Sequence, residues 1–70
     1  MKYVGLTDDL DRRRNEHSNP SDWWQKRFST ESEARKWEKD MLSRPGYTGG
    51  AGGYGWRYGY TYTITNSTNQ

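Results

Sequence analysis

The sequence YVGLTDDLDRRRNEH, residues 3–17, decides the fold of this protein. It begins with Tyr3 and Val4, and aromatic and β-branched residues of this kind favour a β-strand. The strand is predicted over residues 2–6, and Gly5 is expected to end it. Acidic residues and then arginines follow at once, which predicts a helix directly after the strand.

This first helix is predicted to begin with Thr7 or Asp8 as its N-cap, because either side chain can accept a hydrogen bond from an unpaired backbone N–H. It is expected to end near residue 17, since the following Ser-Asn-Pro is a stop signal. Four residues share one face of the helix by their spacing: Leu10, Arg13, Arg14 and His17. Such a face is either a basic surface in water or the lining of a polar site.

Two further strands are predicted downstream. Within residues 22–28, Trp23 and Trp24 must lie on opposite faces of a strand, so one indole is expected to cover the second side of the sheet. Residues 56–65 have strong strand propensity, because polar residues alternate there with a row of large apolar ones. That row consists of Tyr58, Tyr60, Tyr62 and Ile64.

A second helix is predicted from Ser29 or Thr30 to about residue 43, with Thr30 and Glu33 at capping-box spacing. Its apolar stripe consists of Ala34, Trp37, Met41 and Leu42. Glu38 interrupts this stripe, and a buried carboxylate is costly unless a cation, a metal ion or water compensates it. Glu38 is therefore either a metal ligand or a residue at the edge of the stripe that pairs with a nearby arginine.

Together these elements predict one small α+β domain over residues 1–65, with a three-stranded antiparallel sheet flanked by two main helices. The glycine-rich segment 46–55, GYTGGAGGYG, is expected to be a flexible loop or a lid. It lacks the Lys-Ser/Thr ending of a phosphate-binding P-loop. Residues 66–70 are polar, and we expect them to form a disordered tail.

Composition limits the classes of function. Hydrophobic residues make up only 29% of the 70 residues and aromatic residues 16%, so a few large rings are expected to build the core. The absence of cysteine excludes disulfides and thiolate metal sites. No segment is apolar enough for a signal peptide or a membrane span, which predicts a cytoplasmic protein without a membrane partner. A net charge of +2 permits nucleic-acid binding without requiring it.

The residues that remain available for chemistry are tyrosine, arginine, histidine and glutamate, and this set suits phosphodiester hydrolysis. A carboxylate can hold Mg²⁺, which keeps most of its waters and also binds phosphate oxygens. An arginine neutralises the charge that develops on the phosphate in the transition state. A tyrosine or histidine can move the proton of the attacking water.

The order of these residues resembles that of a known family. Tyr3-Val4-Gly5, with Arg13 ten residues after the tyrosine and His17 four residues further on, resembles the second half of the GIY-YIG endonuclease motif. The segment SEARKWEK, residues 32–39, resembles the metal-binding helix of that family, in which a glutamate follows an alanine by four residues. The family includes homing endonucleases, restriction enzymes and the incision subunit of bacterial excision repair. The resemblance covers residues 3–42.

The resemblance implies a role for each matching residue. Tyr3 would lie near the attacking water as a candidate general base, and Arg13 would stabilise the scissile phosphate. His17 would assist proton transfer or bind phosphate, and Glu38 would be the one protein ligand of a Mg²⁺ or Mn²⁺ ion. The two helices would then face each other across a metal-bound phosphate. Three further arginines are expected to contact DNA: Arg12, Arg14 and Arg57.

The sequence departs from the family pattern in two places. The GIY strand should precede Tyr3, where only two residues stand, and the later asparagine of the family is absent from the glycine-rich segment. We interpret the first departure as a circular permutation. The run GYTYTI, residues 59–64, would pair antiparallel to the Tyr3 strand, and Tyr60 or Tyr62 would supply the missing tyrosine. The alternative is a truncated domain that is inactive or borrows a strand from a second copy.

The sequence therefore predicts a small metal-dependent DNA endonuclease of the GIY-YIG type. A non-catalytic nucleic-acid-binding module is the second hypothesis, in which the basic helix binds phosphates and exposed aromatic rings stack on bases. A protein–protein adaptor that uses the aromatic sheet is the third. A domain of this size has little surface for base readout, so specificity is expected to need a homodimer or a larger complex.

Overall fold

The computed structural model of this protein describes residues 1–49 and 55–65. The helices and strands in this part of the chain are β1 (Lys2–Thr7), α1 (Leu10–Glu16), β2 (Trp24–Arg27), α2 (Glu31–Leu42), β3 (Tyr47–Thr48) and β4 (Tyr58–Thr63). The α+β class predicted from the sequence is confirmed. Neither α1 nor α2 is long and apolar enough to cross a membrane. The predicted tail at 66–70 and the centre of the predicted loop, 50–54, lie outside the described residues.

The four described strands form one mixed sheet in the order β2-β4-β1-β3. The prediction of three antiparallel strands is wrong, because β3 lies within the glycine-rich segment and pairs parallel with β1. This strand has only two residues, Tyr47 and Thr48, and it pairs with Lys2 and Tyr3. So short a strand leaves no periodic pattern in the sequence.

The two ends of the chain meet in the sheet. Strand β4 pairs antiparallel with β1 along its whole length, from Lys2 opposite Thr63 to Thr7 opposite Tyr58. One residue further on, the backbone N–H of Ile64 donates to the carbonyl of Met1 at 2.8 Å. The antiparallel pairing predicted for the C-terminal run is therefore observed, and β4 lies between β1 and β2.

Gly5 lies inside β1, because the strand continues to Thr7 and does not end at the glycine. Tyr60 lies directly opposite Gly5 on β4. A Cβ atom at Gly5 would collide with the hydroxyl and ring of Tyr60, whose side chain is fully buried. The glycine therefore permits a close approach of a tyrosine ring to the backbone, and it does not form a turn.

The N-cap of helix α1 is Asp9, and the prediction of Thr7 or Asp8 is wrong. The carboxylate of Asp9 accepts the backbone N–H of Arg12 at 3.1 Å, and the hydroxyl of Thr7 accepts the N–H of Asp9 at 3.0 Å. Asp8 instead accepts backbone N–H groups from the start of the C-terminal segment. His17 ends the helix, and its N–H donates to the carbonyl of Arg13 at 3.0 Å.

Side chains that alternate along the strands form a separate core on each face of the sheet. One core contains Tyr3, Tyr60 and Tyr62, and α1 covers it with Leu10. The opposite core contains Leu6, Phe28 and Ala34, and α2 supplies Ala34 and the adjacent Trp37. Helices α1 and α2 therefore pack on opposite faces of the sheet.

The predicted division of the two adjacent tryptophans is confirmed. Trp23 stacks on Tyr60 with ring centroids 4.5 Å apart, on the α1 face. Trp24 stacks on Trp37 at 6.0 Å, on the α2 face. The predicted cap of α2 is also confirmed, because the hydroxyl of Thr30 accepts the N–H of the residue three positions later.

Replacing Gly5 by alanine should destabilise the fold by about 1–3 kcal/mol, because the added methyl group overpacks the site of the buried Tyr60 ring. The free energy of unfolding from urea denaturation, followed by circular dichroism, measures the change. Ser21→Ala, at an exposed position, is the control and should change it little. A Gly5→Ala variant as stable as the parent protein would contradict the close approach.

Candidate active site

The predicted catalytic residues from the two ends of the chain lie together in the core on the α1 face. The tyrosine–histidine cluster, as we call it, consists of Tyr3, His17, Tyr60 and Tyr62. Tyr3 and Tyr62 are cross-strand partners, and their rings stack with centroids 5.3 Å apart. Alternation along β4 brings both of its predicted tyrosines to this face, so Tyr60 and Tyr62 both join the cluster.

His17 lies at the centre of the cluster, and its side chain contacts both Tyr60 and Tyr62 of β4. The imidazole Nδ1 lies 2.7 Å from the hydroxyl of Tyr62, and Nε2 lies 3.1 Å from the hydroxyl of Tyr60. The imidazole is also tilted against the ring of Tyr3, with centroids 4.9 Å apart. His17 can occupy this buried position because it ends α1, one turn beyond Arg13, on the side of the helix that faces the sheet.

Arg13 connects the cluster to the surface. Its Nε donates a hydrogen bond to the hydroxyl of Tyr60 at 3.2 Å, and its Nη1 lies 3.2 Å from a carboxylate oxygen of Glu16. Its side chain is 21% exposed, whereas Tyr60 is fully buried. Part of the guanidinium is therefore accessible to a ligand while its Nε orients the buried phenol.

The donor and acceptor roles at His17 depend on its tautomer. In the tautomer with the proton on Nε2, that nitrogen donates to Tyr60 at 3.1 Å and Nδ1 accepts from the hydroxyl of Tyr62 at 2.7 Å. With this tautomer the oxygen of Tyr60 accepts two N–H groups, one from His17 and one from Arg13.

The surroundings of Tyr60 and Tyr62 raise the pKa of both hydroxyls and so favour their protonated form. Burial raises the pKa of Tyr62, and the neighbouring tyrosines Tyr3 and Tyr60 act in the same direction. Burial also raises the pKa of Tyr60, and its hydrogen bond from Arg13 offsets only part of that rise. Burial lowers the pKa of Arg13, but the contacts with Tyr60 and Glu16 raise it by more, so the guanidinium stays charged.

Glu38 lies apart from this cluster. It belongs to α2, which packs on the opposite face of the sheet, so the sheet occupies the space between the helices where a phosphate was expected. Its carboxylate lies 3.8 Å from the guanidinium of Arg35, which is the arginine pairing that the sequence left open. Within residues 1–49 and 55–65 no hydrogen bond or ion pair joins Glu38 to the tyrosine–histidine cluster.

Glu38 offers a single carboxylate as a donor, beside the guanidinium of Arg35. The described part of the chain contains no group of three or more histidine, aspartate or glutamate side chains that could hold a metal ion. The Glu38 side chain is 23% exposed, so water can complete the coordination of an ion that it binds. Mg²⁺ accepts such an arrangement because it retains several waters and binds through one or two carboxylates together with substrate phosphate.

The three arginines predicted to contact DNA are exposed but differ in their neighbours. Arg12 forms an ion pair with Glu16 at 3.6 Å. The guanidinium of Arg14 lies 6.0 Å from the ring centroid of Trp23, which stacks on the cluster. Arg57 lines a separate cleft near the start of β4. The structure therefore places Arg14 near the candidate site and Arg57 away from it.

Trp23 is a member of the site that the sequence did not identify. Its ring lies parallel to that of Tyr60, with an interplanar angle of 10°, and its indole N–H donates to Gln25 at 3.0 Å. The sequence did contain a signal for this residue, because two adjacent tryptophans in a strand must place one ring on each face of the sheet. The sequence could not show that this ring would cover the candidate catalytic tyrosine.

No protein-family model matches the chain, and neither a curated protein nor a solved structure matches it. The function is therefore argued below from the chemistry of the site.

Replacing Tyr62 by phenylalanine should lower the free energy of unfolding by about 1–3 kcal/mol at neutral pH, because Nδ1 of the buried His17 loses its partner. The raised pKa of Tyr62 also predicts a pH dependence. The folded state binds the hydroxyl proton of Tyr62 more tightly than the unfolded state does. The contribution of Tyr62 to the free energy of unfolding is therefore full below the ordinary tyrosine pKa of 10.0, and it falls as the pH rises above that value.

Urea denaturation of both proteins across neutral and alkaline pH measures this effect. The stability of the parent protein should fall above the ordinary tyrosine pKa, and Tyr62→Phe should lose less over the same interval. Tyr58→Phe, on the same strand but only partly buried, is the matched control. If Tyr62→Phe and the parent protein lose the same free energy of unfolding at alkaline pH, the buried phenol is not the source of that loss.

Proposed function

We propose that this protein is a metal-dependent endonuclease that hydrolyses phosphodiester bonds in DNA, with a GIY-YIG-like site assembled from both ends of the chain. One observation carries the proposal. Arg13 and His17, two motif residues of the N-terminal segment, both contact the hydroxyl of Tyr60, which comes from the C-terminal strand. A circular permutation of the GIY strand to the C-terminus accounts for this convergence, since β4 pairs along all of β1.

Each residue of the site has a role in this proposal. Arg13, charged and partly exposed, binds the scissile phosphate and stabilises the negative charge that develops on it. Burial raises the pKa of Tyr60 and of Tyr62, so both phenols stay protonated and position their neighbours by hydrogen bonds. Tyr60 contacts Arg13 and His17, and Tyr62 contacts the other ring nitrogen of His17. Tyr3 is assigned to the attacking water, as the resemblance implies.

The resemblance also implies Mg²⁺ or Mn²⁺, for which Glu38 would be the protein ligand. When bound, such an ion would lower the pKa of coordinated water and bind a phosphate oxygen on the α2 side of the sheet, opposite to the tyrosine–histidine cluster. The contribution of the chain is the partly exposed carboxylate and the arginine next to it, Arg35, which can also bind phosphate. A cytoplasmic location and a second copy or larger complex that supplies DNA specificity belong to the same proposal.

A non-catalytic nucleic-acid-binding module is the second candidate, and two observations favour it. The phenols are buried beneath Trp23, and Glu38 lies on the helix that packs against the other face of the sheet. In this alternative the tyrosine–histidine cluster stabilises the fold, and the exposed arginines contact phosphates without cleavage.

Glu38→Gln should reduce DNA cleavage by at least about 100-fold and leave DNA binding nearly unchanged, because it removes the metal ligand but keeps the size of the side chain. The assay measures nicking of supercoiled plasmid in the presence of Mg²⁺ or Mn²⁺, beside DNA affinity in EDTA. Glu33→Gln, an exposed glutamate of the same helix, is the matched control and should cleave normally. Arg13→Gln should also lose cleavage.

The outcomes separate the three hypotheses. Binding at low salt without cleavage at any metal concentration would refute the endonuclease and support the binding module. Cleavage that survives Glu38→Gln would refute the assigned metal ligand. An absence of DNA and RNA binding at low salt, where phosphate contacts are strongest, would refute both and favour an adaptor.

A further inference from the structure

A cleft of about 370 Å³ lies at the end of the sheet where β2 leads into α2 and β4 begins. Its walls are formed by two arginines, two aromatic residues and a serine: Arg27, Arg57, Phe28, Trp56 and Ser29. The backbone joins the two sides of the cleft, because the N–H of Phe28 donates to the carbonyl of Arg57 at 2.8 Å. Its volume lies within the range of about 300–1,000 Å³ that is usual for small-ligand sites.

Two of the residues that line this cleft are positively charged. Within residues 1–49 and 55–65, neither Arg27 nor Arg57 forms an ion pair, whereas Arg12, Arg13 and Arg35 do. Two arginines that line one cleft give it a positive charge, which attracts an anion. The planar guanidinium fork also matches the geometry of phosphate.

The neighbouring carboxylates have other contacts. Oδ1 of Asp8 accepts the backbone N–H groups of Trp56 and Arg57, each at 3.1 Å, and so fixes the wall of the cleft. The carboxylate of Glu31, in the first turn of α2, lies 3.3 Å from the guanidinium of Arg35 on the following turn. These acidic groups therefore shape the surroundings of the cleft without pairing with its two arginines.

The aromatic wall adds a second kind of contact. Trp56 is partly buried because it packs against the core of Leu6, Phe28 and Ala34, and the same residue lines the cleft. An indole held in this way loses little conformational entropy when a planar group stacks on it. Two guanidinium groups beside an indole are complementary to one nucleotide, with its phosphate on the arginines and its base on the ring.

We propose that this cleft binds one nucleotide of a single-stranded nucleic acid, with a phosphodiester group between Arg27 and Arg57 and a base stacked on Trp56. The choice of nucleic acid as the ligand rests on the proposed function. An unpaired strand is required because the bases of a duplex are already stacked on each other. The residues that line the cleft are distinct from those of the tyrosine–histidine cluster.

The test uses fluorescence anisotropy of a labelled oligothymidine with the whole chain in EDTA, so that binding is measured without cleavage. The double variant Arg27→Gln, Arg57→Gln should weaken binding at least tenfold. It should also reduce the slope of log affinity against log salt by about 0.7, because the cleft binds one phosphodiester group and each lost phosphate contact on a single strand contributes about 0.7. Arg44→Gln, beyond the other end of α2, is the matched control and should change neither quantity.

Trp56→Phe keeps an aromatic ring in the core and tests the stacking separately. It should weaken oligothymidine binding about three- to tenfold with an unchanged salt slope, and it should affect a duplex of the same length less. Thermal melting confirms that every variant is folded. Unchanged affinity and slope in the double arginine variant would overturn the proposal, and so would preferential binding of a phosphorylated peptide in the cleft.

The outcome for the cleft can be distinguished from the outcome for the proposed endonuclease activity. If the protein never cleaves DNA but the double arginine variant loses binding as described, the cleft is supported and the catalytic role of Glu38 fails. If cleavage depends on Glu38 while the double arginine variant binds normally, the cleft proposal alone fails. An absence of any nucleic-acid binding overturns both.

Discussion

The antiparallel pairing of the first strand with the last one is the interaction on which the rest of this structure depends. It places β4 in the middle of the sheet, so β2 has a partner only if the C-terminal segment returns to β1. The close approach of Tyr60 to Gly5 makes this pairing specific, because a one-residue shift would move every tyrosine of β4 to the opposite face. The same pairing creates both cores, and each helix then packs on one of them.

The features that the sequence predicted well are those that local chemistry determines. The cap of α2 at Thr30, the end of α1 at His17 and the alternation along β4 each depend on neighbouring residues. The features it missed depend on residues distant in the chain. Gly5 looks like a strand terminator until Tyr60 is placed opposite it, and β3 is too short to show a pattern. Asp8 resembles a cap, but the C-terminal segment occupies its carboxylate.

The candidate site also has features that the sequence predicted and features that it missed. Arg13 and His17 were placed on the inward face of α1 by helical spacing, and the structure brings both into contact with Tyr60. Glu38 was recognised as unusual because it interrupts an apolar stripe, and that observation is correct, since the residue is only partly exposed. The spacing of residues along the chain does not show on which face of the sheet a helix packs. That choice depends on the connection from β2 to α2, and it separates Glu38 from the other predicted catalytic residues.

The burial of the cluster limits what its phenols can do. A fully buried tyrosine whose pKa is raised does not supply a base to bulk water, so Tyr60 and Tyr62 act through the groups that they contact. His17 links the two phenols, and Arg13 is the member of this network that combines contact with Tyr60 and exposure to solvent. A ligand that draws Arg13 outward would weaken the Arg13 hydrogen bond to Tyr60. In the proposed nuclease and in the proposed binding module alike, phosphate binding at Arg13 would therefore alter the hydrogen bonds within the tyrosine–histidine cluster.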